Sequence, residues 1–352
     1  MKILYLFLLA LLLIPYTVEA QVDTQTSFNF IDNPSVARVA GMGGVVNSIK
    51  DKDLGLAYGN PALLNPEMHN QAIFSFTSFL AGADYGFFSY ARDYKDIGTF
   101  SASVLYMNYG KFDETDEIGQ VIGQFKANET ALNLAGSRMI GERLSAGAQI
   151  KFLFSNLEQY NAFGMGLDMG LTYHIEEEFL TTSLVFKNMG YQFTSYYDEA
   201  DKQNLPFNIQ LGVTKKMKHA PFRLGIVMDN LQKWDLTYTD PNLIGKKDPL
   251  TGEPIEIKES SFGDKLMRHL IFSAEILLGD AVQFQLAYNH RRRQEMKVTE
   301  RPGMSGLSFG LGVEIKSFNF SYALSNFTQA GSTHSFTLAL RFSDMRKEKA
   351  LN

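Results

Sequence analysis

Ser335-Phe336-Thr337-Leu338-Ala339-Leu340-Arg341-Phe342 alternates without a break: Phe336, Leu338, Leu340 and Phe342 on one side, Ser335, Thr337, Ala339 and Arg341 on the other. Successive side chains of a β-strand point to opposite faces, so this stretch has one apolar wall and one small or polar wall. The pattern recurs upstream. Val282, Phe284, Leu286 and Tyr288 oppose Gln283, Gln285, Ala287 and Asn289, and Phe318, Phe320, Tyr322 and Leu324 oppose Asn319, Ser321, Ala323 and Ser325. Leu144, Ala146, Ala148, Ile150, Phe152 and Phe154 oppose Ser145, Gly147, Gln149 and Lys151. A soluble β-sandwich alternates too, with its apolar wall turned inward. Three features favour a barrel in lipid instead. A secretory leader commits the chain to export, the segments run to about ten residues, the length of a tilted membrane-spanning strand, and the apolar wall is long-chained and aromatic opposite Gly, Ser, Gln and Asn.

The alternation yields fourteen segments: 71–80, 85–93, 97–108, 125–138, 142–154, 162–175, 179–189, 205–216, 221–231, 266–279, 281–290, 304–315, 317–325 and 333–342. The connections after even-numbered segments are short: Lys95-Asp96, Ile140-Gly141, Glu176 to Glu178, Lys218 to Ala220, Asp280 and Lys316. Several after odd-numbered segments are long, at 109–124, 190–204, 232–265 and 291–303. Outer-membrane barrels have short periplasmic turns and longer surface loops, which places both chain ends in the periplasm. The expected fold is all-β: a transmembrane antiparallel β-barrel of about 14 strands with an N-terminal hatch. Its parts are a signal peptide at 1–20, a hatch or plug at 21–70, the outer-membrane barrel at 71–342 and a periplasmic tail at 343–352.

Lys2, the apolar run Ile3 to Ile14, Pro15-Tyr16 and Val18-Glu19-Ala20 form the leader and its cleavage site, so the mature chain is expected to start at Gln21. No Cys follows the apolar run, which closes the lipoprotein route. Lys and Arg total 33 against 38 Asp and Glu, net −5, and losing Lys2 and Glu19 leaves that balance unchanged. It suggests no nucleic-acid partner. With no Cys, a disulfide framework, Cys-ligated zinc and thiol catalysis are excluded. Past the leader no apolar stretch is long enough for a spanning helix. The remaining route through lipid is a closed barrel, because lipid cannot satisfy an open strand edge. The 28 Phe, 16 Tyr and 29 Gly fit strands and tight turns.

Residues 21–70 lose the alternation. They hold Asn33-Pro34-Ser35-Val36-Ala37-Arg38, then Gly41-Met42-Gly43-Gly44, then Tyr58-Gly59-Asn60-Pro61-Ala62-Leu63-Leu64-Asn65-Pro66-Glu67-Met68. Turn formers interleaved with apolar residues suit a plug within the lumen, and Asn60, Pro61, Ala62, Asn65 and Pro66 form its motif. Together with Phe28-Asn29-Phe30-Ile31, Lys218-His219-Ala220-Pro221-Phe222-Arg223 and Asn230-Leu231-Gln232-Lys233-Trp234-Asp235-Leu236-Thr237-Tyr238, these stretches carry a resemblance. Over nearly all of the mature chain the sequence resembles the PorV/PorQ group, the outer-membrane proteins of the Bacteroidetes type IX secretion system, itself within the FadL-like barrels. The resemblance implies a fourteen-stranded barrel with a hatch, in the machinery that processes cargo and links it to anionic lipopolysaccharide. It implies as partners a PorZ-like surface protein and the sortase attachment complex. No sandwich follows Phe342, so the chain is not expected to be a secreted cargo.

Gly41-Met42-Gly43-Gly44 lacks the Lys-Ser/Thr and the strand–helix setting of a phosphate loop, so it reads as a hatch turn. The His residues at 69, 174, 219, 269, 290 and 334 show no paired ligand spacing, and no metal, cofactor or catalytic residue is assigned. There is no Gly-x-Ser-x-Gly elbow; a hydrolase assembled from distant Ser, His and Asn residues is the third functional reading. Arg291, Arg292, Arg293 and Arg301 share one outer loop. Guanidinium forks there suit lipopolysaccharide phosphates, either at a specific site or as a generally basic rim. Trp234 and Tyr238 lie on the largest outer loop, where they serve either as a protein-partner anchor or as bilayer-interface aromatics. The expected function is a non-enzymatic scaffold holding a surface protein. The alternative is a FadL-like importer of hydrophobic small molecules, its pocket lined by Phe28, Phe30, Leu63, Leu64 and Met68.

Overall fold

The computed structural model describes residues 27–79, 82–196, 202–237, 260–279, 281–296, 303–328 and 331–343. The expected leader and nearly all of the expected tail lie outside them. Fourteen antiparallel strands close into a ring: β1 (Gln71–Ser78), β2 (Asp84–Tyr94), β3 (Gly98–Thr115), β4 (Val121–Ile140), β5 (Leu144–Leu157), β6 (Tyr160–Ile175), β7 (Leu180–Thr194), β8 (Asn208–Lys216), β9 (Phe222–Met228), β10 (Leu270–Leu278), β11 (Val282–Asn289), β12 (Leu307–Ile315), β13 (Phe318–Thr328) and β14 (Gly331–Arg341). Each strand pairs with its chain neighbours. The β1–β14 ladder, from Gln71↔Arg341 to Ser78↔His334, closes the ring and leaves no edge along the wall.

The wall faces follow the sequence pattern. Phe336 is 52% exposed and Phe320 60%, while Ser335 and Ser325 are 1% exposed. Aromatics meet across neighbouring strands on the outer surface, as in Phe74–Phe88 and Tyr322–Phe336, with ring centroids 4.8 and 5.1 Å apart. The inner face is polar yet largely buried, and residues 27–70 pack against it.

Several strand limits depart from the sequence reading. The expected loop at 109–124 is mostly strand: β3 and β4 continue as a ribbon to a turn at 116–120. The expected loop at 190–204 begins as strand, because β7 runs on to Thr194. The segment expected at 266–279 begins in a helix, α2 (Phe262–Arg268), and β10 starts at Leu270. The loop at 291–303 opens with α3 (His290–Met296). Neither helix is long enough to display a 3.6-residue period.

Candidate functional site

Residues 27–70 contain one short helix, α1 (Ala37–Gly41), and 3-10 turns at Asn29–Asp32, Leu54–Leu56, Pro61–Leu63 and Pro66–Met68. The two Asn-Pro pairs work alike. Asn60 accepts from the Ala62 N–H and Asn65 from the Glu67 N–H, while the following prolines start each turn with no N–H to satisfy. Asn60 is fully buried, and its amide also donates to the Asn47 carbonyl (2.7 Å) and to Thr172 Oγ1 on β6 (3.0 Å). Asn65 donates to the carbonyls of Asp51 and Leu63. These residues therefore fold the segment and, through Asn60, bind it to the wall.

The wall is shaped to receive it. A Cβ on Gly147 would lie 2.4 Å from the Pro61 carbonyl carbon, and one on Gly170 would lie 2.1 Å from Asn60 Oδ1. Gly212 approaches Asn47 as closely, and Gly41 of α1 meets Gly310 of β12. Wall hydroxyls complete the seat: Ser145 Oγ donates to the Ala62 carbonyl, Ser325 Oγ to the Ala40 carbonyl, and Thr337 Oγ1 accepts from the Ala37 N–H.

Two ionic clusters join segment and wall. Arg38, 4% exposed, donates through Nε to Glu275 Oε1 (2.8 Å) and also reaches Asp51 (2.8 Å) and Asp53 (3.0 Å). Arg223 bridges Glu275 (2.6 Å) and Asp51 (3.2 Å) from β9. Burial alone would raise the Asp51 carboxyl, but Arg38 and Arg223 outweigh it and hold it below the ordinary carboxylate range. The cluster lines a pocket of about 160 Å³ at the end of the barrel with the short turns, beside Lys52, Glu314 and Arg341. The second cluster is built on a fully buried pair, Lys151–Asp168, 2.8 Å apart. Lys151 donates to Asn188 Oδ1, and the Asn188 amide donates to Asp32 of the segment (3.0 Å). Asn188 adopts φ 57° at an irregularity in the β6–β7 ladder, which frees its N–H to donate to Asp168. None of these charges was singled out from sequence. The available signal was charge on the small-residue wall, at Lys151 and Glu275.

Phe28, Phe30, Leu63, Leu64 and Met68, expected around a ligand pocket, are all less than 5% exposed and share one packed core with Tyr85, Phe87, Leu105 and Leu153. They fill the space between segment and wall.

At the opposite end, Trp234 is 49% exposed and lies 5.3 Å from the Phe262 ring, itself 70% exposed. Its other contact is with His269, 5.6 Å away and nearly parallel. The ring nitrogens of buried His269 face the backbone carbonyls of Asp229 and Trp234, fixing the loop to the top of β10. Lys265 of α2 pairs with Asp235 at 2.6 Å, and that hydrogen bond holds the Asp235 carboxyl down to about 2. Tyr238 lies outside the described residues. Arg291, Arg292 and Arg293 follow His290 in the first turn of α3 and turn toward protein. Arg291 approaches Asp229 (3.6 Å), Arg292 lies against Gly44, and Arg293 donates to the Gly303 carbonyl. Arg301 lies outside the described residues.

No protein-family model and no curated protein matches the chain. Among solved structures, it is similar to the toluene transporter TodX of P. putida, with 11% identity, a TM-score of 0.50, and coverage of 89% of this chain and 99% of that one. A FadL homologue of Pseudomonas aeruginosa gives 11% identity, a TM-score of 0.48, and coverage of 88% and 98%. LpxR of Salmonella typhimurium gives 10% identity, a TM-score of 0.34, and coverage of 77% and 99%. At 11% identity the likeness to TodX is one of fold alone, that of a closed barrel, here of fourteen strands.

Proposed function

We propose that this protein is an outer-membrane barrel of the type IX secretion machinery. Its lumen is plugged, and its outer loops hold a PorZ-like surface protein beside the sortase attachment complex. The observation that carries this reading is the seat of residues 27–70. Close backbone approach at Gly147, the buried Asn60 bonds and the Arg38–Glu275 pair make the plug part of the wall. A barrel filled in this way works through its surface. The exposed Trp234–Phe262 pair, on a loop pinned at His269 and Lys265, supplies a firm apolar anchor of the kind that dominates protein interfaces. The apolar outer wall is covered by outer-membrane lipid, with lipopolysaccharide around the outer loops. The leader routes the chain there.

The test is co-isolation. Detergent-solubilised barrel should bring down the PorZ-like surface protein, Trp234→Ala should weaken the pair, and deletion of the gene should release that protein and leave cargo unprocessed. Normal cargo attachment in the deletion strain refutes the reading. Import of hydrophobic small molecules is a second reading, favoured by the apolar cluster around Phe28 and Phe30 under Phe79, Tyr109 and Tyr196. Loss of uptake with intact secretion would decide for it.

A further inference from the structure

The β3–β4 ribbon outlasts its neighbours. On one side the ladder to β2 ends at Asp84↔Asn108. On the other, the ladder to β5 ends at Ala127↔Leu157, followed by one last bond from the Glu158 N–H to the Lys126 carbonyl. Beyond these points the ladder is the ribbon's own, from Phe112↔Phe125 to Thr115↔Val121, with Ile122 at the register shift. The ribbon is nevertheless well built. Asp116 closes its turn, accepting from the N–H groups of Ile118 and Gln120, and Gly119 turns at φ 83°. Phe112 and Phe125 stack across it at 5.4 Å, and Gln124 donates to Asp113.

Of its two free edges, the one on β4 has a defined polarity. Because Lys126 directs its carbonyl toward β5, the two-residue period turns the N–H and C=O of Gln124 the same way. Among the described residues nothing pairs with the Gln124 backbone there. An ordered ribbon with an open edge is a template for an incoming strand. The side chains define that strand further. Ile118, Val121 and Ile122 are 77%, 60% and 62% exposed, which is costly for aliphatic groups at a structured tip. Asp113, Glu114, Asp116 and Glu117 outnumber Lys111 and Lys126 around them. The ladder shifts between Glu114 and Thr115, so the regular edge is short and takes a short strand. In the ring, this ribbon lies six of fourteen positions from the β9–β10 loop that carries Trp234, nearly across the mouth.

We propose that the open edge of β4 at Gly123–Phe125 is a second docking site, taking a short, basic, extended segment of the surface protein that Trp234 anchors. This rests on the surface-holding reading, and the two sites make the attachment bivalent. Two weak contacts held at a fixed span bind far more tightly than either alone.

The experiment uses the full mature chain in detergent with the purified PorZ-like surface protein, read by affinity and by hydrogen exchange of residues 119–126. Binding should slow exchange there about tenfold or more and weaken with added salt. Gln124→Pro removes the outward N–H without touching the β3–β4 ladder, and should weaken binding about tenfold and abolish the slowing. Gln124→Ala loses only the contact with Asp113 and should bind as wild type. Heat-modifiable migration of both variants on gels confirms a folded barrel. Binding with unchanged exchange at 119–126 overturns the ribbon site and leaves the surface-holding reading intact. Absence of binding by wild type overturns both. Slowing that depends on barrel concentration alone, or on lipid alone, gives the edge to a second copy or to the bilayer and overturns the proposal.

Discussion

Replacing Arg38 with Met tests whether ion pairing holds residues 27–70 against the wall. Arg38 is 4% exposed and Glu275 fully buried, so neither charge has water to fall back on. The variant keeps most of the side-chain volume but leaves Glu275, Asp51 and Asp53 around a single cation, Arg223. Removing one partner of a buried pair costs about 3–5 kcal/mol, because the remaining charge is stranded. Taking about 4 kcal/mol, the open population of the segment rises roughly a thousandfold. Hydrogen exchange of backbone amides in residues 36–56 measures that population directly, with amides in β4 and β5 as internal controls. The sign of a second substitution is the stricter test. Adding Glu275→Gln to Arg38→Met removes one of the two surplus negative charges and should return part of the lost protection, although Glu275→Gln alone weakens the wild type. If Arg38→Met exchanges within threefold of wild type, or if the double variant is looser than the single, the charges do not hold the segment.

The Asn60 bonds and the close glycines make independent predictions. Asn60→Ala strands the Ala62 N–H and the Asn47 carbonyl in a dry site and should cost about 2–3 kcal/mol in denaturant unfolding of the refolded barrel. Gly147→Ala forces a Cβ against Pro61 backbone that cannot yield, and should cost about 1–3 kcal/mol. Gly86→Ala, with nothing nearer than 3.8 Å, should be near neutral; equal effects would refute the seating argument. Because Trp234 is the only tryptophan, its emission reports on the outer loop alone. The Asp235 carboxyl is depressed to about 2 by Lys265, so the clamp is fully present above an unfolded value of about 4 and is lost as pH falls through about 2. Emission should hold steady from pH 7 to about 4 and change only below that. A transition centred near pH 6 would sink the assignment.

How far the sequence is legible depends on whether lipid touches the residue. Strands such as β5, β11, β13 and β14 could be read because every second side chain meets lipid and the rest do not. Where the β3–β4 ribbon leaves the wall, that pressure stops. Lys111, Asp113, Glu114 and Asp116 replace the apolar series, and Gly110, Gly119 and Gly123 read as loop. The bulge that offsets Asn188 against Asp168 likewise shows only in the paired ladders. In the hatch motif the Asn-Pro turns were visible because capping is local. Their wall partner, Thr172, lies 112 positions away, and Glu275 is 237 positions from Arg38. No spacing rule connects residues that far apart. They meet because a closed ring brings its inner face against the threaded segment.

The small residues of the wall are fitted to the segment packed against them. Gly, Ser and Thr opposite aromatic positions suit a water-filled channel, but here Gly147 and Gly310 meet backbone at Pro61 and Gly41, and Gly170 and Gly212 meet the side chains of Asn60 and Asn47. Their smallness admits another chain, where water would need only space and polar atoms. To clear a path along the axis, the segment must lose its Arg38–Glu275 and Asp32–Asn188 links and expose a core running from Phe28 to Met68. A ligand would have to repay that through differential binding of several kcal/mol to the open state. A surface partner asks nothing of the lumen and gains from a rigid one, because a locked plug holds the mouth in one shape and lowers the ordering cost of docking. An uptake assay in which Arg38→Met gains permeation while surface attachment is kept would show that the plug and the anchor are separable.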